Sequence, residues 1–285
     1  MPSLSQIKYD TIEKYVTTGL GRSVLASSFN QPLRTQRDYK LCSRKAFEVE
    51  ELPNGAMPYY DQDPELTAYM IGEEGDNVVT QVKSKRILVP LYELATNPKL
   101  SISEITARRF NMIERVLAKG AAKLNEQEDA RTFGLFKVAC DQADHPYGDI
   151  VSPGGMTAAA LSDAFANIES YDLRVANIFC NAKDFADIRK WDRDTLDPVS
   201  QAELLKTGIR GQLWDANIVV TKMVPAGTVY LTAEPEFFGR IPIRYDLTVL
   251  NADKPEERAM GWSMFLNLGT GLYNPYGIQR LTIIR

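Results

Sequence analysis

One very long amphipathic helix pattern lies near the middle of the chain. Apolar residues recur at three- and four-residue steps from Ile102 to Val138, which is the spacing of one helix face. Ser101 and Glu104 have the separation of a capping box, which satisfies open backbone amides at a helix start. A continuous helix over 103–139 would extend about 55 Å. This length exceeds that of a typical globular helix and predicts a spine on which other elements pack.

The segment before this helix reads as a long β-hairpin with an elaborate tip. Strand-like pieces within 46–89 are separated by prolines and glycines, which mark turns. If 77–89 formed one strand, it would extend about 40 Å. A hairpin of this length cannot bury both faces within its own domain, so we expect it to lie on a neighbouring molecule.

The segment after the helix alternates helices and strands, as in a compact α/β unit. A buried strand is predicted at 175–180, and Asn181 is predicted to cap the helix that follows it. The other predicted elements are helices at 156–168, 182–191 and 200–206 and strands at 217–221, 228–233, 241–249, 260–268 and 278–284.

Charge is distributed unevenly along the chain. The formal net charge of -4 at pH 7 argues against a dedicated duplex-binding protein. The first 45 residues contain eight basic and three acidic residues, whereas 46–89 is acidic. We interpret 1–45 as an extended arm that needs a partner surface. Acidic loops are expected to pair with basic arms or with arginines of neighbouring subunits, although each exposed pair contributes only about 0 to 1 kcal/mol.

Several classes of chemistry find no support in the residues. The chain has one histidine, His145, so a histidine-rich metal site is excluded. Its spacing from Cys140 fits a structural hinge better than a catalytic pair. Asp192, Asp194 and Asp197 occur without the glycine and glutamate of a calcium-binding loop, and no phosphate-binding glycine motif is present. We therefore expect no enzyme activity, catalytic residue, cofactor or metal.

The chain also shows no targeting signal for membranes. It has no run of about 18 apolar residues and no apolar signal-peptide core. We therefore expect synthesis in the cytoplasm and no membrane partner. The odd number and wide spacing of Cys42, Cys140 and Cys180 predict free, buried thiols.

The order of these elements resembles that of the tailed-phage major capsid proteins with the Hong Kong 97 fold. Three segments carry the resemblance, which covers nearly the whole chain. They are the helix at 103–138, the segment GQLWDANIVVTKMVPAGTVYLTAEPEFFGRIPIR at 211–244, and the ending MGWSMFLNLGTGLYNPYGIQRLTII at 260–284. Family members similarly have a strand that leads to a Val-Pro-x-Gly turn and a late Asn-Pro before the last strand.

The resemblance implies an α+β, Hong Kong 97-type capsid fold with five segments. In chain order these are an N-terminal arm, an extended loop hairpin, a peripheral domain with the long spine helix, an axial α/β domain, and terminal strands that return to the peripheral and axial domains. The implied bounds are 1–45, 46–89, 90–144, 145–235 and 236–285. In such a shell, axial domains meet around five-fold and six-fold centres, and each extended loop crosses an adjacent subunit.

The predicted inter-subunit contacts lie on the loop, the arm and the spine helix. Aromatic and methionine side chains on a polar hairpin are either local packing residues or anchors on the next subunit. We favour anchors, because such side chains concentrate at the centres of interfaces. The predicted contact residues are Met57, Tyr59, Tyr60, Tyr69, Met70, Glu73, Glu74, Arg34, Arg37, Arg108 and Arg109.

Two departures from other family members bear on assembly. The sequence begins at the arm, without the long charged helical leader that some members remove, so the resemblance implies a separate scaffolding protein or none. Members that weld their subunits covalently use a lysine on the extended loop. No lysine lies between Lys45 and Lys83, so non-covalent interfaces are predicted.

The implied function is that of a major capsid protein, which self-assembles into hexamers and pentamers of an icosahedral viral head around double-stranded DNA. Its location would be the virion capsid, assembled in the host cytoplasm. The expected partners are further copies of the chain, a scaffolding protein, a portal, a decoration protein, and DNA held by non-specific contact. An encapsulin-like compartment shell is the alternative, which the basic arm disfavours. A small α/β enzyme is a more remote one.

Overall fold

The apolar pattern in the middle of the sequence forms one long helix. In the computed structural model this helix, α1, covers Met112–Asp141. Buried positions recur along it at four-residue steps, as expected for one packed face. They are Leu124, Glu128, Thr132, Phe136 and Cys140. The helix prediction is therefore confirmed for this part of the chain.

The structure describes residues 38–61, 85–103, 112–143, 145–191 and 211–285. The strands in chain order are β1 (Glu48–Glu51), β2 (Tyr59–Asp61), β3 (Arg86–Leu88), β4 (Leu91–Thr96), β5 (Lys99–Ser101), β6 (Ile150–Pro153), β7 (Val175–Cys180), β8 (Gln212–Leu213), β9 (Ala216–Val220), β10 (Thr228–Ala233), β11 (Gly239–Asn251), β12 (Ala259–Gly269), β13 (Gly271–Leu272) and β14 (Ile278–Ile284). The helices after α1 are α2 (Ala158–Glu169), α3 (Ala182–Ile188) and α4 (Pro235–Phe238).

These residues form two units. The described part of the smaller unit consists of 38–39, 95–103, 112–123 and 249–264. The larger unit contains the remaining described residues. In the smaller unit, Lys99–Ser101 of β5 pairs antiparallel with Ala259–Gly261 of β12, and Arg115 forms an ion pair with Asp38 at 2.6 Å.

A six-stranded mixed sheet is the centre of the larger unit, in the order β6-β14-β10-β7-β9-β8. Strand β10 pairs antiparallel with β14 and with β7, whereas β6 and β9 pair parallel with β14 and β7. Because side chains alternate along a strand, Ile178 and Cys180 join the apolar core formed with α2 and α3. The intervening Phe179 points the other way, where its ring lies 5.4 Å from that of Phe133 on α1. The sheet is therefore covered on both faces.

A second sheet has the order β1-β11-β12-β4, with β13 paired to β11 and β5 to β12. Strand β1 runs parallel to the start of β11, with Glu48 opposite Arg240 and Glu51 opposite Ile243. Strands β2 and β3 form a separate antiparallel hairpin.

Several sequence predictions match the structure residue for residue. Strands β7, β10 and β14 have the predicted bounds. Asn181 caps α3, since its side chain accepts a hydrogen bond from the Lys183 amide at 3.2 Å. All three cysteines are free and buried, as predicted.

Other predictions need correction at their edges or lie outside the described residues. Helix α2 begins at Ala158 rather than at 156, because the Thr157 side chain caps it and accepts from the Ala160 amide. Helix α3 ends at Ile188, before the predicted 191, because the chain turns there and the Trp191 indole donates to the Met156 carbonyl. The helix predicted at 200–206, the 104–111 part of the spine, Glu104 of the capping box and the 77–84 part of the long strand lie outside the described residues.

Glycine tolerance provides a test of this packing. A Cβ added at Gly239, where β11 begins, would lie 2.3 Å from the Gly271 carbonyl oxygen and 2.9 Å from the Phe47 ring. A Cβ at Gly134, within α1, would meet nothing within 4 Å. We expect Gly239→Ala to lower the free energy of unfolding by about 2 kcal/mol and Gly134→Ala to raise it by up to about 1 kcal/mol. Urea unfolding of the two variants measures both, and equal shifts would contradict the packing described.

Candidate subunit interface

The stem of the predicted extended loop is the hairpin β2–β3. Its register places Tyr59 opposite Leu88, Tyr60 opposite Ile87 and Asp61 opposite Arg86. Directly opposite residues in an antiparallel pair share a face, and successive residues alternate between faces. The stem therefore has one face with Tyr59 and a second face with Tyr60.

The Tyr59 face is open to solvent. Tyr59 exposes 53% of its surface and Leu88 exposes 52%. Beside them Arg86 forms an ion pair with Asp61 at 2.8 Å, and its guanidinium carbon lies 6.0 Å from the Tyr59 ring centroid. The hydrogen bond from Arg86 lowers the pKa of Asp61. This face combines two large apolar side chains with a charged pair, which is the composition of an interface patch.

The Tyr60 face packs on the subunit's own sheet. The Tyr60 hydroxyl donates to Glu50 at 2.8 Å, and its ring lies 5.2 Å from that of Tyr273. The Arg240 guanidinium sits 5.6 Å from the Tyr60 ring centroid. Burial, together with the hydrogen bond to the Glu50 carboxylate, raises the pKa of Tyr60. Tyr60 thus holds the stem to the body of the subunit.

Arg240 ties the strand before the stem to the sheet. It forms an ion pair with Glu48 at 2.9 Å and approaches Glu50 at 3.6 Å. Further along β11, Arg244 donates to the Ala56 carbonyl at 2.6 Å. Glu48, Glu50 and Asp61, all among the acidic loop residues expected to face neighbours, therefore have cationic partners within the chain.

A second anchor fixes the chain before β1, which we call the arm clamp. It consists of Cys42, Ser43, Arg44, Glu128, Asp129 and Asp246. Arg44 binds the buried Glu128 carboxylate in a bidentate manner, at 2.7 and 3.1 Å. The same guanidinium meets the exposed Asp246 at 3.2 Å. Burial raises the pKa of Glu128, an effect that the hydrogen bond from Arg44 opposes.

The neighbouring carboxylate of the arm clamp, Asp129, is also fully buried. It accepts hydrogen bonds from the amides of Cys42 at 3.1 Å and Ser43 at 3.0 Å, and from the Cys42 thiol at 2.9 Å. These are the open amides at the start of a short 3-10 helix, Ser43–Lys45. A side chain distant in sequence thus caps this turn and fixes its direction.

Three of the predicted contact residues are described. Met57 and Tyr59 are exposed, with 65% of the Met57 surface accessible, whereas Tyr60 is half-buried against its own chain. Tyr69, Met70, Glu73, Glu74, Arg34, Arg37, Arg108 and Arg109 lie outside the described residues. An inter-subunit role for all of them stays a prediction.

Sequence reasoning missed both anchors. Arg44 and Glu128 are 84 residues apart, so no local pattern links them. A signal was nevertheless present, since Glu128 falls on the same four-residue repeat as Leu124 and Phe136. An acid on the apolar stripe of a helix needs a buried partner.

The remaining polar residues do not assemble a reactive centre in the part of the chain that the structure describes. Burial raises the pKa of Cys140 to about 12, which keeps its thiol protonated near neutral pH. His145 interacts through Nδ1 with the Tyr147 backbone. Within the described ranges, no group of three or more metal-ligating side chains is found, and no helix is long and apolar enough to span a membrane.

The resemblance to the Hong Kong 97-type capsid fold implies an extended loop hairpin and a long spine helix, and the described residues contain a hairpin stem and a 30-residue helix. The chain has this fold. The prediction made from the order of sequence segments is thereby confirmed at the level of fold.

Solved capsid structures show the likeness over most of the chain. The capsid of cyanophage P-SCSP1u matches with a TM-score of 0.69 and 11% identity, over 90% of this chain and 92% of that one. The mature capsid of bacteriophage PhiM1 has a TM-score of 0.66 at 10% identity, over 90% and 91%. The capsid of a native GTA particle has a TM-score of 0.64 at 18% identity, over 90% and 95%. No family model and no curated protein matches the sequence.

The arm clamp makes a prediction about stability. Arg44→Met would leave the buried Glu128 without its cation, and breaking such a pair costs about 3 kcal/mol. Asp246→Asn removes only the exposed partner and should cost less than about 1 kcal/mol. Replacing both partners, in Arg44→Met with Glu128→Leu, should recover most of the loss, because no uncompensated charge remains. Urea midpoints of the three variants measure the effect, and equal losses in the two single variants would argue against the clamp.

Proposed function

We propose that this chain is the major subunit of an icosahedral capsid. The observation that supports the proposal best is the likeness to solved capsid chains of two phages and a GTA particle, over 90% of this chain and more than nine-tenths of each of them. The arrangement of the hairpin stem supports it as well. One face is fixed to the subunit, and the other presents exposed tyrosine and leucine.

In this proposal the subunits form hexamers and pentamers that close around double-stranded DNA, and their interfaces are non-covalent. The scaffolding protein, portal and decoration protein expected from the sequence remain proposed partners, and assembly in the host cytoplasm remains the proposed location. The charged pair found on the stem, Arg86–Asp61, is exposed and contributes little. Apolar contacts such as Tyr59 and Leu88 would therefore supply most of the binding free energy.

Particle formation is the direct test. Light scattering and negative-stain images of the purified protein, at low and moderate salt, should show closed shells or sheets of hexamers. Nuclease-protected DNA inside particles purified from producing cells would support a viral head, whereas a protein cargo would indicate a compartment shell. A strict monomer or dimer at every salt concentration, also under crowding and with the scaffolding protein added, would contradict the proposal.

The two stem tyrosines should separate folding from assembly. Tyr59→Ala removes an exposed ring, so it should leave the urea midpoint of the subunit unchanged and lower particle yield several-fold. Tyr60→Ala removes the contacts with Glu50 and Tyr273, so it should lower the free energy of unfolding by about 2 kcal/mol.

Tyr60→Phe is the matched control for this pair, since it keeps the ring and removes only the hydroxyl bound to Glu50. It should fall between Tyr60→Ala and the unaltered chain in stability. If Tyr59→Ala assembled with unchanged yield, the exposed stem face would not be an interface.

A further inference from the structure

The turn between β8 and β9 has an unusual backbone. Leu213 pairs with Ala216, so Trp214 and Asp215 form a two-residue hairpin turn. Both have positive φ, at 49° and 67°, as in a type I′ turn, whose central positions favour Asn and Gly. A bulky residue with positive φ is a genuine outlier. The turn therefore carries backbone strain that an Asn-Gly sequence would avoid.

The core on either side of the turn maintains this conformation. Leu213 and Ala216 are buried, which fixes where the chain must reverse. Trp214 itself is only partly used by the subunit. The centroid of its ring lies 5.3 Å from that of Phe165, with the two rings edge to face, yet 44% of its surface stays exposed. Among the described residues, no hydrogen-bond acceptor reaches its indole N–H.

One cation and one anion lie beside the indole, so the same surface on two copies of the chain offers opposite charges that can face each other. Arg174 and Asp215 approach at 3.8 Å, and their side chains are 74% and 90% exposed. A second copy would offer the matching anion and cation to this pair. The turn also adjoins β8, a strand of two residues at the end of the sheet order. Among the described strands of this sheet, none lies beyond β8 to cover the turn.

We propose that the Trp214 turn is an assembly contact, in which the exposed indole packs against a second copy of this chain. The inference rests on the proposed shell function and deepens it by assigning a residue to the interface. Strain of this kind persists in proteins where function uses it, and tryptophan is the residue type most enriched at the energetic centres of interfaces. In this inference the indole serves association at some expense to the stability of the isolated chain.

Trp214→Asn separates the two roles, because Asn tolerates positive φ. We expect its urea midpoint to equal or exceed that of the unaltered chain, while its assembly rate and particle yield fall by about ten-fold or more. The matched control is Asp172→Gly, which relieves a positive φ of 57° at a different turn and leaves the Trp214 turn intact. It should likewise hold or raise the urea midpoint, with particle yield within about two-fold of the unaltered chain.

Three outcomes would overturn the inference, and they are distinguishable. Unchanged assembly of Trp214→Asn would show that the indole is not at an interface. A lower urea midpoint for this variant, or failure to fold, would show that the contact with Phe165 outweighs the backbone strain, so that the indole serves its own chain. If the unaltered chain formed no particles under any condition, the shell function itself would fail, and the inference with it.

Discussion

The two buried carboxylates of α1, Glu128 and Asp129, determine how the chain before β1 packs on the helix. A carboxylate taken out of water without partners costs several kcal/mol. The helix can therefore pack only where Arg44 and the amides of Cys42 and Ser43 reach it. Since that segment leads within a few residues into β1, satisfying the two acids also fixes where the hairpin leaves the subunit.

The hairpin stem shows how one short element serves both the subunit and its proposed neighbours. Alternation along a strand sends Tyr60 inward to Glu50 and Tyr273, and sends Tyr59 outward. The inner contacts hold the stem in place before any partner arrives. An interface whose residues are already positioned loses less conformational entropy on binding. A rigid stem of this kind would favour association even when each outer contact is weak.

The elements that the sequence predicted best are those whose pattern is local. Strand β7 is buried on both faces and is apolar apart from Asn177, and the cap at Asn181 follows from its own side chain. The arm clamp and the Arg240 pairs could not be predicted, because they join segments far apart in sequence. The sequence also treated Tyr59 and Tyr60 as equivalent. Only the register of the stem distinguishes them.

A subunit that folds first and assembles later has to keep its strong interactions inside and its weak ones outside. The described residues follow this division. The bidentate Arg44–Glu128 pair has a fully buried carboxylate, whereas the Arg86–Asp61 pair on the outer stem is exposed on both sides. Screening by salt weakens exposed pairs far more than buried ones. In the proposed shell, ionic strength would thus adjust contacts between copies while the fold of each copy stays intact.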